Sequence, residues 1–160
     1  MENALSAPSS DKPKRVLAVA SGGGHWVQLQ RMMSAFDGCD VIYASTMHSL
    51  RGEVAGHAFY SVPDANRRRP IALLMLILQM VWIMLRQRPD FVISTGAAPG
   101  YVGLLFGKLF RAQTIWVDSI ANVDKLSMSG RLAGKAADLW LTQWPHLAKN
   151  HGPHFVGAVI

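Results

Sequence analysis

Length, composition and charge limit what this chain can be. Its 160 residues suffice for one domain with a substantial core, and not for two such domains. Half of the residues are hydrophobic and 16% are charged, so we expect a partner or a membrane to cover part of the surface. The net charge of +6 suits nucleic acid or anionic lipid, but no zinc pattern, basic helix pair or RNP-like aromatic stretch accompanies it, so we expect no nucleic-acid partner.

The N-terminal region is polar, rich in Ser and Pro, and lacks the apolar core of a signal peptide. We predict a disordered lead over residues 1–14, followed by one domain over residues 15–160. A lone cysteine, Cys39, excludes a disulfide within the chain and agrees with a reducing compartment.

The most informative stretch is an apolar run that ends in three glycines and a histidine. Residues 16–20 are typical of a buried parallel strand, and residues 26–36 carry apolar side chains at helical spacing. Glycine between a strand and a helix permits positive φ and lets an anion approach the amides at the helix N-terminus. The predicted phosphate-binding turn consists of Ser21, Gly22, Gly23 and Gly24.

His25 begins the predicted helix and would point into the same cleft as the glycine turn. Imidazole is the side chain that most often serves as a general base. A structural or helix-capping role for His25, and a turn that binds nothing, are the alternatives. The spacing does not fit the dinucleotide fingerprint, because Val27 occupies its last small position, and no Lys-Ser/Thr pair follows as in a Walker P-loop.

Further short runs of apolar and β-branched residues predict the remaining strands. They lie at residues 41–45, 58–62, 91–94, 114–117, 139–142 and 155–159. The polar residues 46–56 predict a loop, and residues 100–110 predict a helix. Strands that alternate with helices at this spacing are typical of an α/β fold, here a Rossmann-like, doubly wound parallel sheet in a single domain.

An apolar segment over residues 70–88 has arginines at both ends. We predict a helix over about residues 70–86. Its apolar part, residues 71–85, rises roughly 22 Å, which is short for a hydrocarbon core of about 30 Å. We therefore expect a helix embedded shallowly in one leaflet, with a fully buried helix on the sheet as the alternative. The predicted membrane contacts are Arg67, Arg68, Arg69, Trp82, Arg86 and Arg88.

A second turn follows the strand at residues 91–94, where the sequence continues as Thr95, Gly96 and Ala97. Ligands collect at the carboxyl ends of strands in open α/β sheets, so we expect both turns to face one cleft and to bind substrate. Simple helix capping by Thr95 is the alternative.

Five short motifs, taken together and in this order, resemble those of a known family. They are Ser21-Gly22-Gly23-Gly24-His25, Ile93-Ser94-Thr95-Gly96-Ala97-Ala98-Pro99, Trp116-Val117-Asp118-Ser119, Leu126-Ser127-Met128-Ser129-Gly130 and Gln143-Trp144-Pro145. From about residue 16 onward, the chain resembles the acceptor-side, membrane-associated subunits of two-part glycosyltransferases. These include the subunit that anchors the second N-acetylglucosamine transferase of dolichol-linked oligosaccharide synthesis, and bacterial exopolysaccharide proteins of the PssD type.

This resemblance implies the N-terminal half of a GT-B enzyme similar to MurG, with the donor-binding half on a separate subunit. It implies a glycosyltransferase that is active only as a heterodimer. The enzyme would move a hexosyl or N-acetylhexosaminyl group from a nucleotide-sugar to a polyprenyl-pyrophosphate-linked acceptor. Its expected place is the cytoplasmic face of the inner membrane, as a peripheral or monotopic protein in contact with phospholipid. No cofactor is expected.

Sugar transfer with inversion needs a base near the acceptor oxygen and stabilisation of the leaving diphosphate. The glycine turn and the resemblance both favour His25 as the base, while Asp118 would orient His25 or be the base itself. The resemblance implies a glutamate and then an arginine where this chain has Asp118 and Asn122. Asn122 therefore stands at an expected substrate-binding position without the cation that could hold phosphate bidentately.

Gln143 and Trp144 follow a predicted strand, as a loop that packs under the cleft or against the partner. Trp144 is the expected interface anchor. The remaining histidines show no metal-ligand spacing with acidic neighbours, so no metal site is predicted: His48, His57, His146, His151 and His154.

Two other functions stay open at this point. One is a membrane recruiter whose partner carries all catalytic groups. The other is a nicotinamide-dependent oxidoreductase, which is disfavoured because the fingerprint spacing is absent and no acidic residue ends the second strand.

Overall fold

One parallel sheet of seven strands organises the computed structural model, which describes residues 12–159. The strands are β1 (Arg15–Ala20), β2 (Asp40–Ser45), β3 (Ala58–Ser61), β4 (Phe91–Ser94), β5 (Gln113–Val117), β6 (Leu139–Thr142) and β7 (His154–Phe155). The sheet order is β3-β2-β1-β4-β5-β6-β7, and every neighbouring pair is parallel. The predicted Rossmann-like parallel sheet is confirmed. Residues 1–11, most of the predicted lead, lie outside the described residues.

Helices connect the strands and cover both faces of the sheet. The α-helices of the described chain are α1 (Gly24–Met32), α2 (Pro70–Gln87), α3 (Ala97–Leu109) and α4 (Met128–Ala133), and short 3-10 helices lie at Met33–Phe36, His48–Val54 and Pro145–Leu147. Alternate residues of β1 enter different layers: Leu17 and Val19 join the core under α2, α3 and α4, whereas Val16 and Ala18 join the core under α1 with the buried Trp26. Burial on both faces explains the unbroken apolar run of β1.

The strand order reverses beside β1. The chain builds β2 and β3 on one side of β1 and then crosses to β4 on the other. In open α/β sheets such a switch point opens a crevice outside the carboxyl ends of the two strands. β1 and β4 therefore end at one crevice, at Ala20 and Ser94.

Several predicted bounds need correction. The predicted loop over residues 46–56 contains the 3-10 helix His48–Val54, because Leu50 and Val54 are buried against the α1 layer. The helix predicted over residues 26–36 begins at Gly24 and changes to 3-10 geometry after Met32. The helix predicted from residue 100 already begins at Ala97.

The C-terminal part of the chain departs further from the prediction. The strand expected over residues 155–159 is only His154–Phe155, because β6 offers it Leu141 and Thr142 as partners and no more. Residues 156–159, called the C-terminal segment below, leave the sheet. α4 is missed by the sequence pattern, since six residues are too few for a helical period.

α2 has two apolar faces in different surroundings. Its inner face is buried in the core through Leu76, Met80, Ile83 and Met84. Its outer face is an exposed stripe, defined by Ile71, Leu74, Met75, Leu78, Trp82 and Leu85. Members of the stripe mostly follow one another at intervals of three or four residues, which places them on one side of the helix. The alternative of a fully buried helix is therefore wrong.

The first turns of α2 extend past the carboxyl edge of the sheet. Gln79, in the middle of the helix, donates from Nε2 to the carbonyl of Ser61, the last residue of β3, at 2.7 Å. Within the described residues, α2 is also the one helix long and apolar enough to cross a membrane. Its length is about 27 Å.

Candidate active site

His25 and the second predicted turn meet at the switch-point crevice. The imidazole Nδ1 of His25 lies 2.9 Å from the carbonyl oxygen of Thr95, and Thr95 Oγ1 donates back to the His25 carbonyl at 2.7 Å. A carbonyl oxygen only accepts, so Nδ1 carries the proton in this geometry. The neutral imidazole then keeps Nε2 as its basic nitrogen.

Only glycine fits beside the His25 ring. A β-carbon on Gly96 would lie 2.3 Å from His25 Cε1, and the φ of Gly96 is +150°. The next residue, Ala97, has a φ of +67°, a left-handed conformation that costs an alanine about 1–2 kcal/mol. Backbone strain of this kind clusters at functional turns. The loop from β4 to α3 is thus shaped around the imidazole.

The amides at the starts of α1 and α3 are not used by side-chain caps. Both helices have a glycine at the N-cap, Gly23 and Gly96, and neither makes a side-chain capping bond. Gly23 and Gly24 are exposed, whereas the Gly22 amide donates to Thr46 Oγ1 at 3.3 Å and Met47 covers that glycine. At α1 the exposed first-turn amides and the helix dipole both favour an anion. At α3 the first-turn amides left for a ligand are those of Ala97 and Ala98, because the Gly96 amide donates to Ser94 Oγ and Pro99 has no N–H.

Two expectations for these turns are corrected. Thr95 does not cap α3, because its hydroxyl is bound to the His25 carbonyl and its side chain is fully buried. It therefore contributes to the crevice by holding His25 rather than by touching a ligand. Of the glycine turn, Gly23 and Gly24 present free backbone at the crevice, while Ser21 and Gly22 lie half-buried behind them.

Asp118 is enclosed by its own loop and not paired with His25. The residue is 1% exposed. Oδ1 accepts from Ser127 Oγ at 2.7 Å and from Trp116 Nε1 at 3.2 Å, and Oδ2 accepts from Asn122 Nδ2 at 3.0 Å and from Ser127 N at 3.1 Å. The prediction that Asp118 orients His25 is wrong, since Thr95 does so. The carboxylate instead closes the loop between β5 and α4.

Asn122 has its amide turned inward. The 3.0 Å bond to Asp118 that closes the loop uses one of the two N–H groups on Asn122 Nδ2. The second N–H is left, so the predicted contact between Asn122 and substrate phosphate stays a prediction.

Gln143 lies in the interior, beside the C-terminal segment. It is 3% exposed, and its amide bonds to Gln28 on α1, to the Asp118 carbonyl and to the amide of Val159. These bonds fit the expectation of a loop that packs under the cleft. Because Gln143 also lines a small groove with the C-terminal segment, its contact with a partner stays a prediction. Gln28 was missed by sequence reasoning. Its polarity on the buried side of an amphipathic helix is the signal that could have found it.

Trp144 is half-buried against the loop that follows β5. Its Nε1 donates to the carbonyl of Ile120 at 2.8 Å, and its ring lies 5.9 Å from the ring of His146. The part of the indole that stays exposed leaves its role as a partner anchor a prediction.

The predicted membrane contacts are all exposed and border the outer stripe of α2. Trp82 is 50% exposed, and the Arg86 guanidinium lies 5.8 Å from its ring centre. The Arg67-Arg68-Arg69 run precedes the helix, and Arg88 follows it. Among residues 12–159, no group of three or more His, Cys, Asp or Glu side chains could hold a metal ion.

A solved structure of another protein shares this architecture. A MurG crystal structure from Acinetobacter baumannii superimposes with a TM-score of 0.75 at 16% identity, over 91% of this chain and 46% of that chain. This chain thus spans about half of that MurG, and the likeness shows the shared fold.

The sequence is also similar to those of characterised mammalian proteins. The chain is 26% identical over 170 aligned positions to the rat protein "UDP-N-acetylglucosamine transferase subunit ALG14", which covers 85% of this chain and 78% of the relative. The human protein of that name is 25% identical with the same coverage. A family model described as "Oligosaccharide biosynthesis protein Alg14 like" matches residues 61–159. The chain belongs to this Alg14-like family.

Proposed function

We propose that this chain is the acceptor-side subunit of a two-component glycosyltransferase and that it supplies the catalytic base. The reaction would move a sugar from a nucleotide-sugar to a polyprenyl-pyrophosphate-linked acceptor. The observation that carries the proposal is His25, with Nδ1 bound to the Thr95 carbonyl and Nε2 left basic at the switch-point crevice. The names of the relatives support UDP-N-acetylglucosamine as the first donor to test.

The chemistry assigned to His25 is proton removal from the acceptor hydroxyl. As that oxygen bonds to the anomeric carbon of the donor sugar, its proton passes to Nε2, and the bond from the anomeric carbon to the phosphate oxygen breaks. The nucleoside diphosphate leaves with the electron pair of that bond. Base catalysis of this kind contributes typically 10²- to 10⁴-fold.

The diphosphate chemistry is assigned to the N-termini of α1 and α3. The amides after Gly23 and Gly96 have no side-chain caps and border the same crevice as His25. Each helix N-terminus carries about half a positive charge, so phosphate oxygens of substrate would be stabilised there. Ser21, Gly22 and Thr95 would support this site from behind.

The membrane contact is assigned to the outer stripe of α2 and the arginines at its ends. An exposed apolar stripe bordered by cations fits a helix that lies in the plane of the interface. The inner face of α2 is held in the domain core, so the helix would not leave the domain to span the bilayer. We place the protein on the cytoplasmic face of the inner membrane, as a peripheral or monotopic protein.

Charge on the outer stripe should release the protein from membranes. Leu74→Glu combined with Leu78→Glu is expected to lower binding to vesicles of phosphatidylcholine and phosphatidylserine by about 100-fold, because burying each leucine contributes about 1.5–3 kcal/mol. Co-sedimentation measures this. The matched control carries the same substitution at two exposed residues outside α2, Val27 and Val123. Equal loss in the control and the stripe variant would contradict the assignment.

The partner is assigned to the apolar surface around β6, β7 and the C-terminal segment. Leu139, Phe155 and Val156 are exposed there, Val156 to 78%. A groove of about 250 Å³ beside them is lined by Met32, Val117, residues 141–143 and the C-terminal segment. Exposed apolar surface of this kind marks a protein interface, and the donor-binding subunit is the partner that the proposed function requires.

Sugar transfer should need both polypeptides. Membranes in which the chain is co-expressed with a candidate donor-binding subunit from the same organism are expected to transfer labelled N-acetylglucosamine to lipid, and membranes with either protein alone are not. Other nucleotide-sugars are assayed in parallel. Full transfer by the partner alone would contradict the proposal.

A further inference from the structure

Buried side-chain amides link α1 to the strands on the partner side of the sheet. Gln28 lies one turn after His25 on α1 and is buried. Its Oε1 accepts from Gln143 Nε2 at 2.7 Å and from the Ile120 amide at 3.2 Å. Its Nε2 donates to Ser119 Oγ at 3.1 Å. These bonds join the helix that carries His25 to the loop after β5 and to the end of β6.

Gln143 continues this network to the C-terminal segment. Its Oε1 accepts from the amide of Val159 at 2.8 Å, and its Nε2 donates a second time, to the Asp118 carbonyl at 3.0 Å. The backbone amides of Ile120 and Val159 can only donate, so they fix which atom of each glutamine is the oxygen. The donor and the acceptor of each bond are therefore known. A change in the C-terminal segment that moves Gln143 would also change the hydrogen bonds of Gln28.

We propose that Gln28 and Gln143 are positioning residues for His25, and that the C-terminal segment acts on the imidazole through them. A helix transmits a displacement at Gln28 to His25 one turn away, where the ring fits closely against Gly96. A displacement of about 1 Å in such a site costs about 100-fold in rate. The inference rests on the proposed function, because it concerns the base and the partner surface assigned there.

The network of Gln28 and Gln143 lies between the proposed partner surface and His25. The C-terminal segment lines the groove assigned to the partner, and its last described residue bonds directly to Gln143. A partner seated in that groove would hold the segment, hold Gln143 and, through Gln28, hold His25. Partner binding and base alignment would thus be coupled by two hydrogen bonds and one turn of α1.

Substitutions at Gln28 test the positioning role by activity. Gln28→Met keeps the length of the side chain and removes its hydrogen bonds, and we expect kcat to fall about 100-fold while KM for the donor changes less than about twofold. Gln28→Glu retains acceptors for Gln143 and Ile120, and the Ser119 hydroxyl can rotate to donate, so it should recover most of kcat. Gln30→Met on the same helix is the matched control, since Gln30 makes no hydrogen bond to Gln28, Gln143 or the C-terminal segment.

Ring nitrogen shifts of His25 test the same role without activity. In the full-length chain without substrate, nitrogen-15 NMR should show the Nδ1-protonated form of His25 for the wild type and for Gln30→Met. Gln28→Met and Gln143→Met should shift the ring signals. Val159→Pro should shift them too, because it removes the backbone N–H that donates to Gln143 Oε1.

Unchanged His25 signals in folded Gln28→Met and Gln143→Met would overturn the positioning role, whatever the transfer rates. If the signals shift in both glutamine variants but not in Val159→Pro, the C-terminal segment does not act on His25. Shifted signals together with full activity of a His25 variant would support positioning and overturn the role of His25 as the base.

Discussion

Replacing His25 with glutamine is expected to lower sugar transfer by about a thousandfold, within the range that a general base contributes. Glutamine keeps a donor for the Thr95 carbonyl and a similar volume beside Gly96, so the crevice should keep its shape. It cannot take up a proton at neutral pH. Single-turnover transfer with saturating donor and partner measures the chemical step apart from product release.

Two further variants test whether the position of the imidazole matters and whether the loss of activity is specific to His25. Gly96→Ala leaves the imidazole present but forces it from its place, because the added methyl would lie 2.3 Å from the ring, and its activity should fall as far. His151→Ala replaces an exposed histidine and should retain full activity. Full turnover by the His25 variant would make the chain a membrane recruiter for a catalytic partner.

Asp118→Ala is expected to lower the free energy of unfolding by about 3 kcal/mol. The substitution leaves Trp116 Nε1, Asn122 Nδ2 and two donors of Ser127 without their acceptor, and each buried unsatisfied donor costs about 1–3 kcal/mol. Water can replace part of the loss, because the loop is partly exposed. For a domain of this size, the thermal midpoint should fall by about 10 °C, as calorimetry would measure.

The matched control for this substitution is Asp124→Ala, in the same loop. Asp124 is exposed, and surface substitutions of this kind usually change stability by less than about 0.5 kcal/mol. Equal thermal midpoints for the two variants would show that the carboxylate does not hold the loop. A catalytic base, by contrast, could be removed without such a loss of stability.

Most of the sheet was predictable because the signal for each strand is local. Six of the seven strands appear within one residue of the predicted bounds, because each has its own short apolar run; the runs of β1, β2 and β4 are almost entirely buried. The His25 turn was predictable for the same reason, as strand, glycines and helix follow one another in the sequence. The switch point then follows from the order of the strands.

The roles of the polar residues were harder to predict because they depend on distant contacts. Asp118 stands at the end of β5, where catalytic residues are common, but its partner Ser127 lies nine residues further along a closed loop. Gln143 and Gln28 are 115 residues apart. No local pattern distinguishes a glutamine that faces a partner subunit from one that faces another glutamine inside the domain.

Under the proposed membrane contact, the exposed stripe on α2 determines how the protein would find its acceptor. A protein held at the bilayer by one side of a helix can glide and turn about the membrane normal, but it cannot tumble. Its encounter with a lipid-linked molecule becomes a search in two dimensions, with the crevice always at one height above the lipid. Such an enzyme sorts acceptors by the distance from lipid anchor to reactive hydroxyl, before any sugar is recognised.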